Sequence, residues 1–154
     1  MTKLLALVLV SPLLLVVSIA AMASGPEIPP FSDQPSALAV SEIPPSLLPV
    51  YRAAASICPG LPWQIVAAIG YVESRHAGGR ANADTGAVEP PIVGPPLDGK
   101  DGRILLRDDT EPDGYAHAHG PMQFLRPTFA RYATLATGRP ADATPSPDNA
   151  WDAI

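Results

Sequence analysis

Residues 62–79 read PWQIVAAIGYVESRHAGG, and their spacing predicts a helix that ends on a carboxylate. Val66 and Ile69 are three apart, and Glu73 follows four after Ile69. On a helix this series places Glu73 on the same face as the apolar residues. A Glu in line with a core stripe, at the last turn, needs a reason. Burial disfavours the charged form of a carboxyl. The negative end of the helix dipole disfavours an anion at that position as well. Both effects are expected to keep the Glu73 carboxyl protonated closer to neutral pH, where it would serve as a general acid.

The flanking sequence predicts a partner for this helix. Ser46 is placed to cap a helix over residues 47–58, with Pro49 tolerated in its first turn. Val50, Ala54, Ile57 and Cys58 form its expected apolar stripe. Pro59-Gly60 breaks it, and Pro62 suits the first turn of the next helix. The two are expected to pack as an αα-hairpin, with Gly78 or Gly79 as the left-handed stop. Twenty Pro and twelve Gly in 154 residues call for long loops beside a modest helical core.

Residues 80–120 form such a loop, with turns at Asp98-Gly99, Asp101-Gly102 and Asp113-Gly114. Ile92-Val93 and residues 103–106 are expected to be the strands of a short hairpin. An insert this long inside a compact domain is usually functional or disordered. The motif His119-Gly120-Pro121-Met122-Gln123-Phe124 follows. Pro127 opens an expected third helix, through about residue 136, with Phe129, Tyr132 and Ala136 on its apolar face and Gly138 as its stop. Ser146-Pro147 opens a fourth, through Trp151. The pattern reaches Ile154 with no cap or stop signal, so a domain incomplete at its C-terminus is expected.

Residues 1–23 read as a secretory signal peptide: Lys3, an apolar run, then Ala21-Met22-Ala23 before Ser24. Left uncleaved, residues 4–23 are about long enough to anchor the chain in a membrane. Either outcome places the remainder outside the cytoplasm, secreted or at the cell envelope. Residues 24–45, rich in Pro and Ser, read as an extended linker. The net charge is −5 with no Lys/Arg cluster, which argues against nucleic acid as a partner. The lone cysteine, Cys58, is expected as a small buried residue on a helix face; the alternative is a thiol whose partner lies outside this sequence.

Glu73-Ser74 closing an apolar helix, then Gly120-Pro121-Met122-Gln123-Phe124 and Pro127-Thr128-Phe129, resembles the lytic transglycosylase family, related to goose-type lysozyme. Pro95-Pro96-Leu97-Asp98-Gly99 is similar to the insert of its membrane-bound, MltB-like branch. The resemblance covers residues 43–154, the N-terminal part of such a domain. It implies a mainly α, lysozyme-like small helical domain over residues 46–154, with a long loop or short β-hairpin insert. It further implies cleavage of the MurNAc–GlcNAc β-1,4 bond in peptidoglycan glycan strands, with a 1,6-anhydro product. Glu73 would protonate the glycosidic oxygen and then deprotonate the muramic acid C6 hydroxyl. One carboxyl suffices there, unlike the usual two-carboxylate glycosidase. Gln123 offers an amide to the N-acetyl groups, Met122 a soft apolar wall, and Ser74 a group either to orient Glu73 or simply to cap the chain turn. Tyr115 is a further candidate for the groove, and Phe124 is expected in the core.

Two other outcomes stay open at this stage. One is a non-catalytic cell-wall-binding module. The other is a hydrolytic lysozyme in which an Asp of the acidic loop supplies a second carboxylate. His117 and His119, near Asp108, Asp109, Glu111 and Asp113, lack regular metal-ligand spacing. A solvated acidic loop is the expected reading, with no metal and no cofactor.

Overall fold

The computed structural model describes Ser32–Ile154. The expected signal peptide and residues 24–31 of the expected linker lie outside the described residues. Regular structure within them is mainly helical: α1 (Ala37–Glu42), α2 (Leu48–Ser56), α3 (Trp63–Ser74), α4 (Arg126–Tyr132) and α5 (Ala150–Ala153). A two-stranded antiparallel sheet pairs β1 (Ala118–His119) with β2 (Phe124–Leu125).

The expected linker is in part helical. Ser36 caps α1 by accepting a hydrogen bond from the Ala39 amide at 3.1 Å, and Ile43 beyond it is buried. Ala39 also packs against the core, and the Gln64 side-chain amide donates to the Ser32 carbonyl, so this stretch is tied to the body at several points.

Helices α2 and α3 pack together as an αα-hairpin. The buried face of α2 is Leu47, Tyr51 and Ala55, an i, i+4, i+8 series. It lies one residue away from the expected stripe, because the large, fully buried Tyr51 dominates it. Val50, Ala54 and Ile57 instead line a groove of about 690 Å³ shared with Phe124, Phe129, Trp151 and Ile154. Ser46 does not cap α2; Leu47 occupies that position without a side-chain bond, and its amide donates to the Pro44 carbonyl at 2.9 Å. Cys58 is exposed rather than buried, because α2 ends at Ser56 and the thiol falls in the turn beyond it.

The insert is ordered as a small three-segment ladder, not as the expected hairpin of residues 92–93 with 103–106. The Gly94 amide donates to Ala118 O and the Leu97 amide to Ala116 O. The Leu106 amide donates to Leu97 O, and the Ala116 amide to Leu106 O. The segments at Leu97, Leu106 and Ala116 thus each bond the other two; the 103–106 segment pairs locally with Asp98 through Asp98–Leu105, while Val93 bridges to His119 instead.

Both C-terminal helices are shorter than expected. After Tyr132 the chain turns extended at Ala133 (φ −64°, ψ 137°), well before Gly138. Asn149, not Ser146, caps α5, its side-chain oxygen accepting from the Trp151 and Asp152 amides, while its side-chain Nδ2 donates to Thr85 O at 2.8 Å. The fully buried Asp152 carboxylate accepts from the Ala136 and Ser146 amides, both at 3.1 Å, with the Arg139 guanidinium 3.3 Å away. One buried anion thus closes the 136–146 loop onto α5. Trp151 packs its indole against Gly86.

Candidate active site

The buried arc of α3 is Trp63, Val66, Ala67 and Gly70, and half-buried Ser74 continues it. Glu73 is exposed, and so are Ile65, Ile69 and Val72. The burial expected for Glu73 is therefore not supplied by the described residues. At 100° per residue Glu73 falls about 20° from Val66, which is the edge of the arc and not its middle.

Ser74 is the residue that ties this helix end to the second motif. Its hydroxyl donates to the Pro121 carbonyl at 2.7 Å and accepts the Ala77 amide at 2.9 Å. The Gly70 carbonyl, at 3.3 Å, is the weaker alternative acceptor for the single hydroxyl proton. The chain then turns left-handed. Arg75 (φ 51°) ends the helix, not Gly78 or Gly79, and His76 (φ 56°), Ala77 (φ 64°) and both glycines continue at positive φ. The Arg75 amide stays tied to the Tyr71 carbonyl at 2.8 Å.

The Gly120–Phe124 segment is a tight turn between β1 and β2. Gly120 (φ 74°) sits against the Pro147 backbone, where a Cβ would meet the carbonyl carbon at 2.6 Å. Met122 is buried in the core beside α3 residues, so it faces the core more than a groove. Gln123 is held at φ 52°, and its side-chain amide donates to Gly120 O at 2.9 Å. Its other amide atom faces Gly94, where a Cβ would lie 2.7 Å from Oε1. Gln123 is thus fixed by its own turn and retains only part of its hydrogen-bonding capacity. Phe124 packs against the core and against Phe129 at 5.9 Å, as expected.

Tyr115 stands further along the same ladder, under the Arg107 guanidinium at 4.3 Å. None of its hydrogen bonds runs to Glu73 or to the Gly120–Phe124 turn: its amide donates to Asp113 Oδ1 at 3.1 Å. The two histidines near it form separate pairs. His119, fully buried, lies 2.8 Å from Glu111 Oε1, which also accepts from Arg126 Nε at 2.8 Å. Arg126 first, then His119, holds the Glu111 carboxyl below its usual range. His117 presents Nδ1 to Gly94 O at 2.7 Å and Nε2 to the Asp113 carboxylate at 3.1 Å. Both partners are acceptors, and the Gly94 carbonyl above all raises the His117 pKa. Among the described residues no three His, Cys, Asp or Glu side chains converge as metal ligands. No described helix is long and apolar enough to cross a membrane.

Sequence reasoning missed one contact at the site. Tyr51 of α2 reaches across α3 and places its hydroxyl 3.0 Å from His76 Nδ1. A signal was available: Gly70 lies mid-helix, where Gly costs about 1 kcal/mol relative to Ala and so calls for a packing reason. A Cβ there would lie 2.9 Å from the Tyr51 ring carbon that bears the hydroxyl. Comparison of the chain with protein-family models, with curated proteins and with solved structures gives no match.

Proposed function

We propose that this chain is a peptidoglycan lytic transglycosylase of lysozyme-like fold, acting at the cell envelope, with Glu73 as its single acid and base. One observation carries the reading. The Ser74 hydroxyl bonds the Pro121 carbonyl at 2.7 Å, so the two motifs behind the family resemblance, 47 residues apart, meet in space. Glu73 immediately precedes that junction and faces outward, open to a long polymer. The glycan strand itself supplies the desolvation that the free chain lacks. In the first step Glu73 donates its proton to the glycosidic oxygen as that bond breaks. The resulting carboxylate then takes the proton of the muramic acid C6 hydroxyl as its oxygen bonds C1, which closes the 1,6-anhydro ring and regenerates the acid. No water is consumed, so no second carboxylate is required.

The test incubates the protein and its Glu73→Gln variant with purified peptidoglycan and identifies the products by mass spectrometry. Anhydro-muropeptides are expected from the wild type, reduced by at least about 100-fold in the variant. Equal release by both would remove Glu73 from the chemistry. Reducing-end products would make the enzyme a hydrolytic lysozyme. The exposure of Glu73 favours one rival, a non-catalytic wall-binding module, and binding to peptidoglycan with no product from the wild type would establish that instead.

A further inference from the structure

Arg75, His76 and Ala77 are three successive non-glycine residues at φ between 51° and 64°. Left-handed backbone costs roughly 1–2 kcal/mol for each such residue. A run of three persists only where its surroundings over-determine it, and such strain gathers at functional sites. The Ser74 hydroxyl holds one side of this turn through the Ala77 amide. Tyr51 holds the other. It is fully buried, and its hydroxyl has no hydrogen-bond partner among the described residues except His76 Nδ1, at 3.0 Å. The mid-helix glycine at position 70 clears its path.

The direction of this bond follows from satisfaction of buried groups. If Nδ1 carried the proton, the buried tyrosine hydrogen would have no acceptor. With the hydroxyl donating to Nδ1, both groups are paired and His76 is the Nε2–H tautomer. We propose that Tyr51 and His76 are positioning residues: their buried bond latches the left-handed turn and thereby fixes the end of α3 from which Glu73 projects. The proposal rests on the transglycosylase reading for its catalytic meaning, while the latch itself has a readout independent of activity. The groups around His76 are Tyr51, the Tyr71 ring at 5.5 Å, Arg75, which stacks on that ring, and Glu42, which acts on it through charge. Burial lowers the His76 pKa against the smaller opposing effect of Glu42. Burial also raises the Tyr51 pKa to about 12, so the pair stays neutral at neutral pH.

The test compares the full-length wild type with Tyr51→Phe, His76→Leu and His76→Asn. Asn tolerates a left-handed φ and places an acceptor oxygen near the position of Nδ1. Long-range proton–nitrogen NMR is expected to show the Nε2–H tautomer at His76 in the wild type. Tyr51→Phe and His76→Leu are expected to speed amide exchange at Ala77 and Gly78 by about tenfold, the loss of one buried bond. The same two variants are expected to lower the turnover of soluble glycan strands by a similar factor with the half-saturating concentration unchanged. His76→Asn should restore most of both. Wild-type exchange and turnover in Tyr51→Phe, or an Nδ1–H tautomer in the wild type, would overturn the latch. If the wild type releases no product, the enzymatic reading fails instead. The tautomer and the exchange rates then decide the latch alone.

Discussion

Replacing Ser74 by Ala removes one hydroxyl and strands two backbone groups. The lost bonds are the 2.7 Å contact to Pro121 O and the 2.9 Å contact from the Ala77 amide. A typical hydrogen bond contributes about 1 kcal/mol net, but a buried group left without a partner costs about 1–3 kcal/mol. Ala77 is fully buried, so water cannot replace the hydroxyl at its amide. Better helix propensity of Ala returns a few tenths of a kcal/mol. The expected net loss is about 2–3 kcal/mol. With a urea slope of about 1.5 kcal/mol/M, the unfolding midpoint should fall by about 1–2 M. Ser56→Ala is the control: that hydroxyl donates to Ala53 O at 2.7 Å, but at an exposed position, and its loss should cost less than about 0.5 kcal/mol. The two variants are compared by urea denaturation of the full chain, with hydrogen exchange at Ala77 as a local probe. Matching midpoints for the two variants, with Ala77 exchange unchanged, would refute the account of Ser74 as the bond between the motifs.

Gly120→Ala should abolish the cooperative unfolding transition, because a Cβ at φ 74° meets the Pro147 carbonyl carbon at 2.6 Å and backbone cannot yield cheaply. Gly60→Ala, at φ 84° with open space around it, should cost only about 1 kcal/mol, and similar melting curves for the two would remove the steric argument. His117 makes stability depend on pH in a defined direction. Its folded pKa is raised, so its contribution is complete below the ordinary histidine value of about 6.5 and is lost as pH rises through the folded value. His76, with a lowered folded pKa, has the opposite sign: its neutral, buried state loses stability as pH falls below about 6.5. The stability gap between wild type and His117→Gln, followed by thermal melts from pH 5 to 9, should be widest at the acid end. A gap that widens toward alkaline pH would show that the imidazolium is not what bridges Gly94 and Asp113.

The elements that were legible in the sequence are those set by local chemistry. Pro59-Gly60 and Pro62 place the break between α2 and α3, and these two helices pair as the spacing predicts. What was not legible depends on groups distant in sequence. The Asp-Gly turns do close a local hairpin, but with Asp98 opposite Leu105; residues 92–97 pair with 116–118 because Gly94 and Leu97 find acceptors there, distant in sequence. Helix α4 stops at Tyr132 with no local breaker, since the Asp152 carboxylate holds the Ala136 amide in an extended loop. The helical part of the linker is invisible for the same kind of reason: its ordering rests on Ala39 and Ile43 reaching the core.

The misplacement of Glu73 has a geometric cause that also explains why Ser74 matters. Taking Val66 as the origin of a helical wheel, Trp63, Gly70, Ser74 and Ala67 lie at about 60°, 40°, 80° and 100°, while Ile69 lies at about −60° and Glu73 at about −20°. Val66 belongs to the buried arc only as its edge. A stripe traced from Val66 to Ile69 therefore runs along the boundary and out of the core, and Glu73 follows it into solvent. The side chain nearer the middle of the arc at that turn is Ser74. Its short hydroxyl can enter the core boundary, satisfy the left-handed turn and donate to the Pro121 carbonyl, to which a carboxylate there could not donate. The division follows from chemistry: the neutral donor faces the packed motif, and the ionisable group one residue earlier is left at the rim. An acid placed in this way acquires a dry environment only when a ligand covers it. On the proposed reading, the acid strength of Glu73 would therefore depend on what binds over the exposed Ile69 and Val72 side of α3, and not on the core beneath it.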